Sequence, residues 1–447
     1  MPTENRKGVG NAHVHHLIGD YIPEKIFKQQ LKEFSKLLQN KNFVKYVIGC
    51  PVFRPLIWLI LGNQECKFLI LMRTDKISKA RKIHIDEMNK AGIDYSVVLA
   101  LDYLYAAKLT PEECLPSSRK PILATFTPEE ILSFYEKQLE DTAKSLAQEP
   151  FRFFQFHCFD PRRKNAMQLL EKSYHTLGIV GIKLYPALGF HPVPGKNTKY
   201  YCANDFLLDP GQTEKQRLEM LEKNLEAMYT FAEQKDLPIV SHCGPGGSFL
   251  TLLDDKKVEK EELWKFTQPN NFPDLVEKYN VRVCLAHMGG KIHLDNGDKQ
   301  KAEEWRTAII KSIKAEHIRG GASGRLYTDL SFDLSRVLKD EQNLPLYIKD
   351  TKDYLDEDIL GNYVLFGSDW PMGLHAFPEK NYILPYRGQL SSKHQQQFFQ
   401  DNIARFLFGD SKKIPANYIQ FLEKQRKGKA LKLPPWIRRE GEDYFLV

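Results

Sequence analysis

Two histidines separated by one residue, His13 and His15 in the run Gly10-Asn11-Ala12-His13-Val14-His15, could grip one divalent ion. On a strand, side chains two apart point to the same face, so both imidazoles reach one point without a bend in the backbone, and His16 turns away. Four further ionisable groups each stand at the end of a short apolar run. Lys183 lies in Gly181-Ile182-Lys183-Leu184-Tyr185-Pro186, and His242 in Pro238-Ile239-Val240-Ser241-His242-Cys243-Gly244. His287 lies in Val283-Cys284-Leu285-Ala286-His287-Met288-Gly289-Gly290, and Asp369 in Leu365-Phe366-Gly367-Ser368-Asp369-Trp370-Pro371. Imidazole and carboxylate together suit zinc or a similar divalent ion. Each group alone has a plainer reading: a surface lysine, a loop histidine beside glycine, an aspartate capping a turn. Their recurrence at successive run ends points to one site.

The runs that must position them are Val9–Val14, Tyr95–Leu101, Phe151–Cys158, Val180–Tyr185, Pro238–Ser241, Val281–Ala286, Leu326–Leu330 and Tyr363–Gly367. Segments with helical patterning separate most of them, such as Asn165–Leu177, Gln216–Lys235 and Phe272–Tyr279. Continuous apolar strands alternating with helices imply a parallel sheet covered by helices. Eight such units predict an α/β fold of the (β/α)8 TIM-barrel kind, with an open doubly wound sheet as the alternative. In a barrel the active site lies at the carboxyl ends of the strands, where these ionisable groups fall.

The stretch between the first two runs is far longer than one βα unit needs. It contains helical patterning at Glu24–Leu38 and Ser78–Ala91, so a helical insertion or lid is expected over residues 17–90 after the first strand. The segment Gly189–Thr213, rich in Pro, Gly, Asn and Tyr, reads as an irregular loop over the site. The barrel is expected over residues 8–410 and a C-terminal extension over 411–447. There Pro434, Pro435 and Trp436 suggest an arm lying along the body or a neighbouring subunit.

Composition narrows the class. Of 447 residues, 42% are hydrophobic and 27% charged, enough for a large buried core in a globular chain, and a net charge of +7 is too dilute to predict a nucleic-acid partner. The seven cysteines, scattered without CxxC spacing, fit a reducing, cytoplasmic compartment. A polar N-terminus reads as lacking a signal peptide, and the apolar runs Pro55–Leu61 and Phe68–Leu71 fall short of the roughly twenty residues a membrane span needs. The expected partners are a small-molecule substrate and, as an option, a second copy of the chain, with no nucleic acid and no membrane span.

The ordered set His13-x-His15, Lys183, His242, His287 and Asp369 resembles the amidohydrolase superfamily. Its local context is similar to the amidohydrolase-2 branch, which includes aminocarboxymuconate-semialdehyde decarboxylase-like enzymes. That context includes Phe159-Asp160-Pro161-Arg162-Arg163 and Asp401-Asn402-Ile403-Ala404-Arg405-Phe406-Leu407. The resemblance implies that His13, His15, His242 and Asp369 hold a divalent ion, Zn2+ being the expectation, which lowers the pKa of a bound water from about 15.7 to near 7. It implies that Asp369 serves as general base and then acid. His287 would polarise a substrate carbonyl or bind a second ion. Lys183 would bridge two ions if carboxylated, or stay bare beside one; a single ion is the expectation.

Tyr185, His191, Trp370 and Arg387 are the candidates for substrate recognition, an arginine at the mouth suiting a carboxylate. His375 is a candidate rim residue, and His157 and His175 read as structural. The function implied is metal-dependent hydrolysis of a C–N or C–O bond, as in an amide, lactone or ester. The alternative on the same scaffold is a non-oxidative decarboxylase or hydratase of a small carboxylic acid. A barrel-type nuclease or phosphoesterase is disfavoured because such enzymes generally carry glutamate where Lys183 stands, and a non-catalytic binding protein because every expected ligand position is filled.

Overall fold

The computed structural model describes residues 6–16, 67–68, 71, 76–105, 127–245, 260–290, 299–320, 324–331, 334, 338, 343–372, 377–427 and 429–447. The expected helix Glu24–Leu38, the apolar run Pro55–Leu61 and His375 lie outside these residues.

All eight expected strands form: β1 (Gly10–Val14), β2 (Tyr95–Leu99), β3 (Phe153–Phe159), β4 (Gly181–Leu184), β5 (Ile239–His242), β6 (Val283–Ala286), β7 (Leu326–Asp329) and β8 (Val364–Leu365). Each pairs in parallel with the next in chain order. Every residue of these strands is buried, as a parallel sheet covered on both faces requires, which explains why the runs are continuously apolar rather than alternating. The seam between first and last strands closes through the segment after β8. Ala12 N–H donates to Phe366 O at 2.8 Å, Asp369 N–H to His13 O at 2.9 Å and His15 N–H to Trp370 O at 2.6 Å. The chain is a (β/α)8 TIM barrel, and the doubly wound alternative falls.

Helices between the strands start and stop where local chemistry dictates. Pro128–Leu146 begins with Thr127 and Glu130 in a reciprocal capping box, and Glu214–Gln234 does the same with Thr213 and Gln216. Ala166–Leu177 stops at Gly178, whose φ of 62° any side chain would resist. The helix Ile77–Ala91 occupies the expected Ser78–Ala91 pattern before β2. Gly189–Thr213 is irregular apart from the short 3-10 turn Asp205–Leu207.

Beyond Gly409 the chain lies on the body of the barrel, across the amino ends of the strands. In the helix Ala416–Gln425, Tyr418 donates its hydroxyl to Phe153 O at 3.0 Å, and the Asn417 carboxamide donates to Tyr174 O and Ile179 O. The hairpin β9 (Ile437–Glu440) and β10 (Asp443–Leu446) follows, and Trp436 packs so close that a side chain at Gly8 would meet it at 2.8 Å. No helix among the described residues is long and apolar enough to cross a membrane.

Candidate metal centre

β1 delivers His13 and His15 to one side and turns His16 to the other, where its Nε2 meets His84 Nδ1 at 2.8 Å. The segment after β8 brings Asp369 against them. His13 Nε2 and His15 Nε2 are 3.3 Å apart, and Asp369 Oδ1 stands 3.5 Å from the first and 3.2 Å from the second. This approach needs Gly367, where a Cβ would lie 2.9 Å from the Cβ of both His13 and Ser331. Asp369 itself sits at a φ of 56°, in the left-handed region that a side chain disfavours.

Proton placement at both imidazoles is set from behind. His15 Nδ1 lies 2.8 Å from Leu99 O, an acceptor only, so the ring proton sits there and Nε2 offers its lone pair. His13 Nδ1 lies 2.9 Å from Asp329 Oδ2, with the same result. Burial lowers the His13 pKa to about 4, against the pull of Asp329, so the ring is neutral at pH 7. Burial raises the Asp369 carboxyl, but the imidazoles of His15, His13 and His287 outweigh it and hold it at about 2. Asp369 Oδ1 is buried and receives no hydrogen bond. His13 Nε2, His15 Nε2 and Asp369 Oδ1 therefore converge on one point in a buried pocket, and this donor set fits a divalent metal ion.

His287 follows β6 on a stretch where His287, Met288, Gly289 and Gly290 all have positive φ. Its N–H donates to Asp329 Oδ1 at 3.1 Å and its Nδ1 meets Ser331 Oγ at 2.8 Å, which holds the strained turn in place. Its ring centre lies 4.8 Å from that of His13 and 4.9 Å from that of His242, whose ring in turn lies 4.8 Å from Tyr185. His242 thus stands beside His287 and belongs to neither of the described sets whose ligand atoms lie within 4.8 Å of one another, a difference from the four-ligand expectation. Lys183 is buried at the end of β4 with its Nζ 5.5 Å from the Tyr185 ring centre. Burial lowers its pKa, while Asp329 and Asp369 raise it.

Of the residues expected to meet substrate, one is placed at the other end of the barrel and two are engaged by partners within the protein. Arg387 donates to Ala91 O and Gly92 O, in the turn entering β2 and so at the opposite end of the barrel. Trp370 is buried, its ring stacked on His84 at 4.1 Å, because the helix Ile77–Ala91 packs over it. His191 turns into its own loop, where its Nδ1 accepts from Val193 N–H and its N–H donates to the Asn197 side chain. His157 is buried within β3 and His175 is exposed on its helix, as expected of structural residues. Asp329 was not expected at all. The signal was an aspartate closing the run Leu326-Tyr327-Thr328-Asp329, in the same strand-end position as the residues that were singled out.

The amidohydrolase model of the Amidohydro_2 family matches residues 101–409, over two thirds of the chain. The chain belongs to this amidohydrolase family. The match begins after β1, so His13 and His15 are joined to the family's part of the amidohydrolase barrel by the geometry above. No curated protein matches the sequence. Among solved structures the amidohydrolase is similar to an uncharacterized TIM-barrel protein from Bordetella bronchiseptica, at 14% identity and a TM-score of 0.47, covering 90% of this chain and 98% of that one. It is also similar to 2,6-dihydroxybenzoate decarboxylase complexed with 2,6-dihydroxybenzoate, at 13% identity and a TM-score of 0.46, covering 90% and 99%. A third is a probable 2-pyrone-4,6-dicarboxylic acid hydrolase from Acinetobacter baumannii with citric acid bound, at 12% and 0.43, covering 90% and 99%.

Proposed function

We propose that this amidohydrolase-family enzyme is a metal-dependent hydrolase that cleaves a C–N or C–O bond of a small molecule, such as an amide, lactone or ester. The observation that carries the reading is the convergence of the His13 and His15 lone pairs on the ionised, orphaned Asp369 Oδ1. A divalent ion held there, zinc by the nature of its donors, would polarise a carbonyl and acidify a water. One ion is proposed rather than two, because in the second set, His13, His287 and Asp329, the closest pair is already spent on a hydrogen bond.

The residues of the chain do the rest. Asp369, ionised throughout the neutral range, accepts a proton from the attacking water and returns it to the leaving group. His287 donates from Nδ1 to Ser331 Oγ, whose own proton goes to Asp329, so its Nε2 lone pair can take up a proton and, so charged, polarise the substrate carbonyl. Tyr185 flanks His242 and offers a ring against which substrate can pack.

A second reading, a non-oxidative decarboxylase or hydratase of a small carboxylic acid, is favoured by Lys183: a buried amine with no ion-pair partner among the described residues, which a substrate carboxylate would supply. Turnover in H2(18)O with CO2 detection separates hydrolysis from decarboxylation, and one labelled product rather than two fragments marks hydration. Hydrolysis places solvent oxygen in a product, whereas decarboxylation releases CO2 and places a solvent proton on carbon. Activity that survives complete metal removal, checked by elemental analysis, would defeat both.

A further inference from the structure

Two buried residues adjoin the proposed ligands without belonging to them: Asn11, two before His13, and Ser368, immediately before Asp369. The Asn11 Oδ1 accepts the backbone N–H of His13 at 3.2 Å and of Ser368 at 3.1 Å, and its Nδ2 donates to Ser368 Oγ at 2.7 Å. A third group completes the arrangement from outside the strands. Glu379 Oε1 accepts from Asn11 Nδ2 at 2.7 Å and from Ser368 Oγ at 3.1 Å. Ser368 Oγ also accepts Trp370 N–H at 3.2 Å, so the hydroxyl spends its one proton on Glu379. Glu379 is anchored in turn by the helix Ile77–Ala91. Its N–H donates to Glu87 Oε2 at 3.0 Å, and its Oε2 lies 3.6 Å from Nε2 of His84, the ring that stacks on Trp370. Glu379, Asn11, Ser368, His84 and Glu87 are each at most 1% exposed.

We infer that Glu379 is a positioning residue for the proposed metal centre, fixing through Asn11 and Ser368 the separation of Asp369 from His13 and His15. Asp369 needs such a clamp. Its left-handed backbone is strained and persists only where the surroundings over-determine it. The clamp is made by hydrogen bonds rather than by charge: Glu379 Oε2 has no hydrogen-bond partner, and the carboxyl has no lysine or arginine ion pair among the described residues. Burial raises Glu379 to about 7, against the lowering effect of Ser368, Asn11 and Arg152, which favours its protonated form. A neutral carboxyl presents one accepting oxygen and one donor, as a glutamine side chain does, so the amide should replace it.

The inference rests on the metal-centre reading, and Mn2+ titration of the metal-stripped full chain, followed by the electron paramagnetic resonance of free Mn2+, tests the two separately. Glu379→Ala is expected to weaken Mn2+ binding by about 10- to 100-fold and Glu379→Gln to restore it to within about 3-fold, in line with the loss of outer-shell partners at metal sites. Thermal melts of the metal-free proteins run alongside. If Glu379→Ala does not fold, Ser368→Ala, which keeps the carboxyl and cuts its link to the Asp369 loop, must itself lose about 10-fold. Unchanged affinity in Glu379→Ala or Ser368→Ala, or equal loss in the glutamine and alanine variants, overturns the clamp. A wild-type chain that takes up no Mn2+ defeats the metal centre itself.

Discussion

The two ends of the barrel differ in what their unpaired and strained groups are. At the amino ends of the strands Arg6 holds Asp94 with two bonds of 2.7 Å, Asn417 and Tyr418 satisfy backbone groups, and the positive φ of Phe151, Asp236 and Asn280 falls in turns from helix to strand. At the carboxyl ends, His287, Met288 and Asp369 have positive φ, Asp369 Oδ1 is orphaned, and Lys183 is buried without an ion pair among the described residues. Single unpaired atoms occur at the amino ends as well, on Tyr95, Arg152 and Trp436, but among the described residues metal-ligating atoms converge in groups of three at the carboxyl ends alone. Unpaired lone pairs held in place by strained backbone mark where a ligand completes the structure.

The sharpest way to break this contrast is Asp369→Asn. Removing the carboxylate base and a metal donor should cut turnover by about 10^2- to 10^4-fold and lower bound metal, with a melt of the metal-free chain to check that the variant is folded. Steady-state kinetics, metal analysis and a melt decide it. A variant that keeps its metal and its rate removes Asp369 from the site.

Acid should reveal the same asymmetry. Burial keeps three imidazoles near the carboxyl ends neutral, lowering His13 to about 4 and His84 and His157 to about 3, whereas in the unfolded chain each titrates near 6.5. Between about pH 6.5 and 4 the unfolded chain binds more protons, so stability falls as pH falls, by about 1 kcal/mol per pH unit for each imidazole. Glu379, raised to about 7 by burial, and Glu316, raised likewise, act in the opposite direction, against six lowered imidazoles once His16, His191 and His287 are included. Urea midpoints of the metal-free protein from pH 7 to 4 should therefore decline steadily, and His157→Leu should flatten the decline. A flat profile in the wild type would mean that these rings reach water.

The floor is tested by Trp436→Ala. This indole is buried under the guanidinium groups of Arg6 and Arg152, 5.5 and 5.9 Å from the ring centre, and its loss should cost about 3–4 kcal/mol of stability with no change in metal affinity. If metal affinity drops with stability, the two ends are coupled and the contrast between them is too sharp.

The parts of the site legible in the sequence are those governed by strand periodicity. His13 and His15 follow from alternation, and Lys183, His287 and Asp369 from standing where an apolar run meets a glycine or proline. Arg387 was misplaced because a helix moves the chain about 1.5 Å per residue away from its start. Glu379 precedes the helix Lys380–Gln389 and stays beside the β8 loop, while Arg387, near its far end, is carried to the floor. The motifs Asp160-Pro161-Arg162-Arg163 and Asp401-Asn402 turned out to fasten loops. Arg162 bonds Asp160 and Leu188 O, and Asn402 bonds Gly361 O and Val364 O. Asp329 is not legible because two of its partners, His13 and His287, lie on other parts of the chain and only the packing of the strands brings them to it, while Ser331 stands two residues on.

Asp329 also supplies the smallest of the expected effects. Asp329→Asn preserves shape and can still accept the His13 Nδ1 proton, but its amide cannot also accept from His287 N–H, Ser331 N–H and Ser331 Oγ, all of which now bond one carboxylate oxygen. The flipped alternative satisfies that side and turns an NH2 toward His13, forcing the ring proton onto Nε2, where a ligand lone pair is needed. Either choice should weaken metal binding by about 10- to 100-fold, less than the loss of turnover at Asp369. Calorimetric titration of the metal-stripped protein measures it. Because the variant leaves every direct donor in place, full affinity in Asp329→Asn would show that His13 keeps its orientation without a carboxylate behind it, and the order at the carboxyl ends would then belong to the backbone alone.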